Sequence, residues 1–576
     1  MPYLEITTVG EITFSNRMKT EEGYRYDIPF DNVMLPFIPI AEDIRKKGLI
    51  ADDVKVGFAH PEGYRGLCLM AGELAFSQPG LVGFIKRYFT TERVLKEEGV
   101  RIRSIRPGQR FYAYISIPAK YRDETEKKLT GRKVIGTCAD GITGEVELRI
   151  VSRSDNPNDR VELSGLKHYV SLDYSATLLT PACFPAPFSE TDKTHSYIPG
   201  AVISELLHTY IREAEPEEYA VLRCSNAYIG RKGKRFRPVP ACASVVKLDK
   251  GQLLYRLAQG KDPARIEQDV PLANCYGEDF EGRSLQFTIP EIERIATESG
   301  ETLDALTMGQ SFHGRIYGSD AMIRKIVSSF ERHPFVFLGD LTKEGYGEAY
   351  LHVKGVNEEE IPAEMPATSF DVCCASDVFM LNDDGMACCR AEDLLKELEY
   401  VLDCPGRLEI GERYTNITKD HSDNRPVVRC MEKGSVLRVR TKDHLPVDIF
   451  ALKNCFVGER TRDGYGELYA YPARGEYYRL AENVAPSLYE REYPLSLREM
   501  ALGAVFARDV LRMISKSRIE ALAFADRGEG TVSAEELLPV EVLAYMKDHF
   551  DPTLSDETLI RWYRNALEGK DDDNLN

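Results

Sequence analysis

No stretch of the 576 residues approaches the roughly 18 to 20 unbroken apolar residues that a membrane-spanning helix needs. The opening MPYLEITTVGEITFS reads as a strand and lacks the basic-then-apolar layout of a signal peptide. There is no C-x-x-C, and no cysteine–histidine grouping has zinc spacing. His60, His195, His313, His421 and His444 lie apart, without the spacing of a triad or a two-histidine nuclease. The segment Glu529–Glu536 imitates the end of a calcium loop, but Ala525 and Arg527 stand at the first and third ligand places. A basic excess is also missing. With 74 Lys and Arg against 92 Asp and Glu, the net charge is −18, which excludes a protein that coats nucleic acid by bulk attraction. Thirteen cysteines, with adjacent pairs at Cys373-Cys374 and Cys388-Cys389, suit reduced, buried thiols better than a disulfide framework. The expected location is therefore cytoplasmic, with no membrane partner, and Asn416-Ile417-Thr418 is an irrelevant glycosylation match.

What is present is a repeat. Three segments share an apolar run, a glycine, seven residues and a Gly-Glu pair before a second strand-like run. They are Gly136 to Gly144-Glu145, Gly339 to Gly347-Glu348, and Gly458 to Gly466-Glu467. The second and third also share Gly345-Tyr346-Gly347 and Gly464-Tyr465-Gly466, whereas the first has its inner glycine one place early at Gly141. The pattern reads as strand, glycine-rich loop, strand. Glycine permits positive φ and lets another backbone come close. Such a loop can cradle a phosphate backbone, with Lys343, Arg460 and Arg462 adding charge, or it can be a twisted hairpin whose glycines serve only the turn. Three copies at one spacing mark a repeated unit.

Ahead of the first two loops, Phe37-Ile38-Pro39 and Tyr197-Ile198-Pro199-Gly200 each lead into a helical pattern. The third unit opens with FDVCCASDVFML and the helix AEDLLKELEYVL, without the Ile-Pro step. The fold class expected is α+β: tandem ferredoxin-like or RNA-recognition-like domains at 1–160, 166–356 and 366–475. A helical region is expected over 476–576, from the capping box Ser496-Leu497-Arg498-Glu499 and apolar stripes that include Trp562. That region is either a helical bundle or a docking surface.

From Arg223 to Lys247 there is no acidic residue. Arg231, Lys232, Lys234, Arg235 and Arg237, with Tyr228, Phe236 and Asn226 among them, offer phosphate neutralisation and an aromatic face for an unstacked base. A solvated basic loop is the alternative.

The Ile-Pro step with the Gly-x7-Gly-Glu loop resembles the RAMP superfamily of CRISPR-associated proteins. The run Asp27-Ile28-Pro29-Phe30-Asp31 through Pro39 is similar to the opening motif of type III backbone subunits. Cys224-Ser225-Asn226-Ala227-Tyr228 and Met308-Gly309-Gln310-Ser311-Phe312-His313-Gly314 are similar to the large RAMP subunit of subtype III-D. Ile40 departs from the family by standing where glycine is usual. The resemblance implies a crRNA-binding backbone subunit of an antiviral effector, with crRNA, complementary target RNA and other type III subunits as partners. It implies no tightly bound cofactor. It also implies Asp27, with Asp31 as a weaker second carboxylate, as a candidate for transient Mg2+ binding and endoribonuclease cleavage of target RNA or precursor crRNA. A protein-interaction scaffold without RNA contact is a further alternative.

Overall fold

A computed structural model describes residues 2–13, 16–20, 23–27, 38–61, 90–94, 101–136, 141–152, 169–185, 193–211, 218–219, 221–231, 234–246, 253–255, 269–272, 275–280, 284–297, 302–358, 364–382, 384–420, 428–453, 455–473, 477–478 and 480–483. Among them the chain is mostly β, with few helices.

Three sheets repeat one strand order. The first runs Lys55–Val56, Arg110–Ser116, Pro2–Thr8, Glu145–Ser152, Gly131–Val134. The second runs Lys234–Arg235, Tyr228–Arg231, Ser311–Tyr317, Tyr169–Leu178, Glu348–Glu358, Phe335–Phe337. The third runs Leu408–Tyr414, Val436–Thr441, Ser369–Cys374, Glu467–Pro472, Cys455–Phe456. Each unit's opening strand lies inside its sheet, antiparallel to the strand that begins at or beside the Gly-Glu pair. The strand before the glycine-rich loop forms the edge.

Alternation along these strands decides what each face meets. Leu4 and Ile6, then Leu172, Tyr174, Ala176 and Leu178, then Phe370, Val372 and Cys374 point into three separate apolar cores. Helices close those cores: Ala41–Lys46 and Arg122–Leu129, then Gly200–Tyr210 and Asp320–Arg332, then Ala391–Val401. The Asp320–Arg332 helix starts where Ser319 accepts the Met322 amide at 3.3 Å, and it buries Met322, Ile323, Ile326, Val327 and Phe330 along one face.

The opposite faces of the sheets are covered too. Tyr3, Tyr112 and Tyr114 of the first pack with Met308, Phe335, Phe337 and Tyr350 of the second unit. Cys373, Val436, Tyr469 and Tyr471 of the third pack with Val239, Tyr255, Leu285 and Phe287. These last residues come from a segment inserted into the second unit, whose strands build most of two four-stranded sheets.

One expectation changes here. The region read as helical from residue 476 begins with strands: Tyr477–Tyr478 pairs with Leu253–Tyr255, and Leu480–Asn483 runs parallel to Ser284–Thr288. Edge pairing with the inserted sheets supplies the backbone hydrogen bonds there. The remaining residues, with their capping box and Trp562, lie outside the described set. Every described cysteine is a free thiol, most of them buried.

Candidate nucleic-acid interface

The two complete glycine-rich loops have one backbone conformation. Gly339, Leu341, Gly345 and Gly347 have φ of 78°, 58°, 94° and 76°, and Gly458, Arg460, Gly464 and Gly466 have 72°, 55°, 93° and 79°. Each loop folds over a single 3-10 turn, Thr342–Glu344 or Thr461–Asp463. The cross-loop hydrogen bonds also match: Leu338 N donates to Gly347 O at 2.8 Å, and Val457 N to Gly466 O at 2.9 Å. In the first loop Gly136, Gly141 and Gly144 have positive φ as well.

Each complete loop presses against the preceding unit. A Cβ on Gly464 would lie 2.5 Å from Asn226 Oδ1 and 3.0 Å from Gly200 Cα. Gly200 opens the helix of the second unit, and its amide donates to Asn226 Oδ1 at 2.8 Å. The helix start is thus filled by protein backbone, which removes it as a seat for phosphate. The second loop packs on the first unit through other contacts. Arg45 Nη1 donates to Lys343 O, a Cβ on Gly345 would lie 3.0 Å from the Phe58 ring, and Phe58 meets Tyr346 with centroids 5.3 Å apart.

The glutamate of each Gly-Glu pair completes the junction. Glu467 is 1% exposed and accepts from Arg235 Nη1 at 2.7 Å and Nη2 at 2.8 Å. Burial works to raise the Glu467 pKa, but the Arg235 charge and hydrogen bonds outweigh it and hold the carboxyl below its ordinary range. Burial likewise works against the Arg235 charge, and Glu467 more than restores it. Glu348 is equally buried, its carboxylate occupying the space a Cβ on Gly57 would need. The sequence repeat names both glutamates but gives them no role, although their recurrence after every loop was the available signal.

Several residues read as RNA contacts therefore have a different role. Tyr228 is 0% exposed, stacked on Tyr276 at 5.0 Å, and its hydroxyl donates to Ala375 O of the third unit. Phe236 is buried as well. Neither ring is a platform for a base. Asn226 caps the Gly200 helix, and Arg235 is spent on Glu467 and on Asn226 O at 2.8 Å. Arg237 lies 4.8 Å over the Tyr469 ring. Lys234 is exposed. Arg231 is described only as strand backbone, and Lys232 lies outside the described residues.

Pro39 and Pro199 both precede their helices as the sequence indicates. Asp27 ends the strand Gly23–Asp27, and its side chain and Asp31 lie outside the described residues. Among the described residues no three His, Cys, Asp or Glu side chains converge to hold a metal, and no helix is long and apolar enough to cross a membrane.

No protein-family model matches the chain, and no curated protein matches it. Solved structures do. A "CRISPR associated protein Cas6" aligns at 11% identity and a TM-score of 0.26, covering 52% of this chain and 99% of its own. "An RAMP protein binding different RNA substrates" aligns at 9% and 0.27, covering 53% and 100%. A chain of the "Cryo-EM structure of the Type III-B Cmr-beta bound to cognate target RNA" aligns at 10% and 0.26, covering 46% and 86%.

Each of the two complete loops also carries a cation at the surface. Lys343 and Arg462 stand at the same place, four residues after the first loop glycine, and both reach solvent. Around Lys343, Lys55 has its pKa lowered, first by burial and then by the Lys343 charge, against an opposing pull from Glu205. Around Arg462, the Arg460 guanidinium lies 5.0 Å over Phe379.

Proposed function

We propose that this chain is an RNA-binding subunit of a CRISPR-associated ribonucleoprotein, built from three tandem ferredoxin-like units. On the finer reading it serves a type III effector, subtype III-D, and holds crRNA by its backbone. The observation that carries the reading is the recurrence, at both internal junctions, of the same loop with a solvent-reaching cation in the same place. Phosphates of a single strand, spaced regularly along RNA, suit regularly repeated cations on an otherwise acidic molecule. The Ile-Pro steps and the Asn226 and Gln310 motifs, similar to those of RAMP subunits, support the same reading. Arg235, Tyr228 and Asn226 act in it only as the frame that sets the spacing.

The test is charge reversal at the two loops. Lys343→Glu with Arg462→Glu is expected to weaken single-stranded RNA binding at least tenfold. It is also expected to reduce the slope of log affinity against log salt by roughly 1.4, about 0.7 for each lost phosphate contact. Unchanged affinity and slope, in protein that melts as the parent does, contradict the proposal.

A further inference from the structure

At each internal junction an edge strand and its loop dock on the outer sheet face of the unit before. Phe337, two residues ahead of the first loop glycine, packs on Tyr114 with centroids 5.7 Å apart. Phe456, at the same place in the third unit, packs edge-on against Tyr317 at 5.3 Å. The following Gly-Glu carboxylates, Glu348 and Glu467, are buried. The first unit carries the same edge. Its strand Gly131–Val134 lies outermost in the sheet, with Val134 at the place of Phe337 and Phe456 and Glu145 at the place of Glu348 and Glu467. Here Val134 is 46% exposed and Glu145 is exposed.

The opposite end of the series differs. The third unit's outer sheet face, where a fourth edge would dock, is covered by the insertion from the second. Tyr255 and Tyr471 share a hydroxyl hydrogen bond at 2.9 Å, and Tyr469 donates to Pro238 O at 3.3 Å. Beneath them Arg438 is held to Asp371 at 2.7 and 2.9 Å. The first and second faces are covered by the units that follow them. Among the described residues a second copy of this chain therefore presents no open face of this kind.

We propose that the Gly131–Val134 edge, with Gly144 and Glu145, docks a different protein chain that carries an uncovered sheet face of the same construction. That partner presents an aromatic ring to residue 134 and an arginine to Glu145, continuing the two junctions already inside this chain. Among the described residues the series is open at its first unit and closed at its third, so growth runs in one direction. This rests on the internal junctions and holds whether or not the chain carries RNA.

The experiment uses the full chain purified with its companions. A lysine-reactive reagent links Lys133 to its neighbour, and the linked peptides are mapped by mass spectrometry in the parent and in Val134→Asp with Glu145→Arg. Both positions are exposed, and an unchanged melting curve controls for folding. The result expected is a link from Lys133 to one other chain, at a peptide holding an arginine and an aromatic. That chain is lost at least tenfold in the variant and kept after ribonuclease treatment. A link to a second copy, or to residues 484–576 of the same chain, overturns the proposal. So does a companion released by ribonuclease alone, or one that the variant retains.

Discussion

Arg235→Ala is expected to lower the stability of the junction between the second and third units by about 3–5 kcal/mol, because it strands the Glu467 carboxylate in a site that is 1% exposed. Hydrogen exchange of the Cys374 and Ala375 amides, which donate to Ser435 O and to the Glu467 backbone carbonyl at 2.9 and 2.8 Å, reads the loss as deprotection of at least a hundredfold. The pH dependence has a definite sign. In the parent the folded-state pKa of Glu467 is depressed, so its contribution is complete above the unfolded value of about 4.5 and is lost as pH falls through the folded value. In the variant the orphaned carboxyl shifts upward, so the deficit is largest at neutral pH and shrinks as the solution is acidified towards protonation of Glu467. Adding Glu467→Gln to Arg235→Ala recovers most of the loss, since a neutral amide carries a far smaller burial cost. If Arg235 served RNA, the single change would instead leave exchange untouched and weaken RNA binding.

Gly464→Ala is the second large effect. The residue is held at φ 93°, and its Cβ would meet Asn226 Oδ1 at 2.5 Å and the Gly200 backbone at 3.0–3.1 Å. Left-handed strain costs about 1–2 kcal/mol, and forcing a methyl into a packed junction adds about 1–3 kcal/mol. Gly385 separates the two contributions, because it has φ 73° with nothing within 4 Å of a Cβ. Gly385→Ala is expected to show the strain alone. The difference between the two variants in thermal melting or limited proteolysis then measures the close approach at Gly464. Equal effects at the two positions would mean that the Gly464 loop is not pressed on Gly200.

The repeat was legible because spacing is a property of sequence. Gly339, Gly345 and Gly347 against Gly458, Gly464 and Gly466 mark the loops, and every one of these glycines has positive φ. That another backbone comes close was legible as well; which backbone was not. Gly464 meets Gly200, 264 positions away, and no local pattern says whether such a space holds phosphate or protein. The acid-free run around Arg235 misleads for the same reason. Its counter-ion, Glu467, lies 232 residues along the chain, and folding brings the two together across a junction that composition cannot register. Tyr228 looked like a stacking ring because aromatics beside cations serve bases and protein interiors alike. Tyr276, Tyr197 and Arg235 around it settle it as part of the interior. Strand order was legible only as a class. The burial of the third sheet's outer face depends on the insertion between Phe236 and Ile289, where the sequence signals no repeat.

Photocrosslinking of bound RNA to the full chain, with the modified peptides mapped by mass spectrometry, tests the central claim most directly. Loops that join the units and offer their solvent-reaching cations to RNA place the crosslinks on peptides containing Lys343 and Arg462, with none on the Tyr228 and Phe236 side chains. Crosslinks on Tyr228 or Phe236 would contradict it, because those rings can reach RNA only if the junction between the second and third units is open.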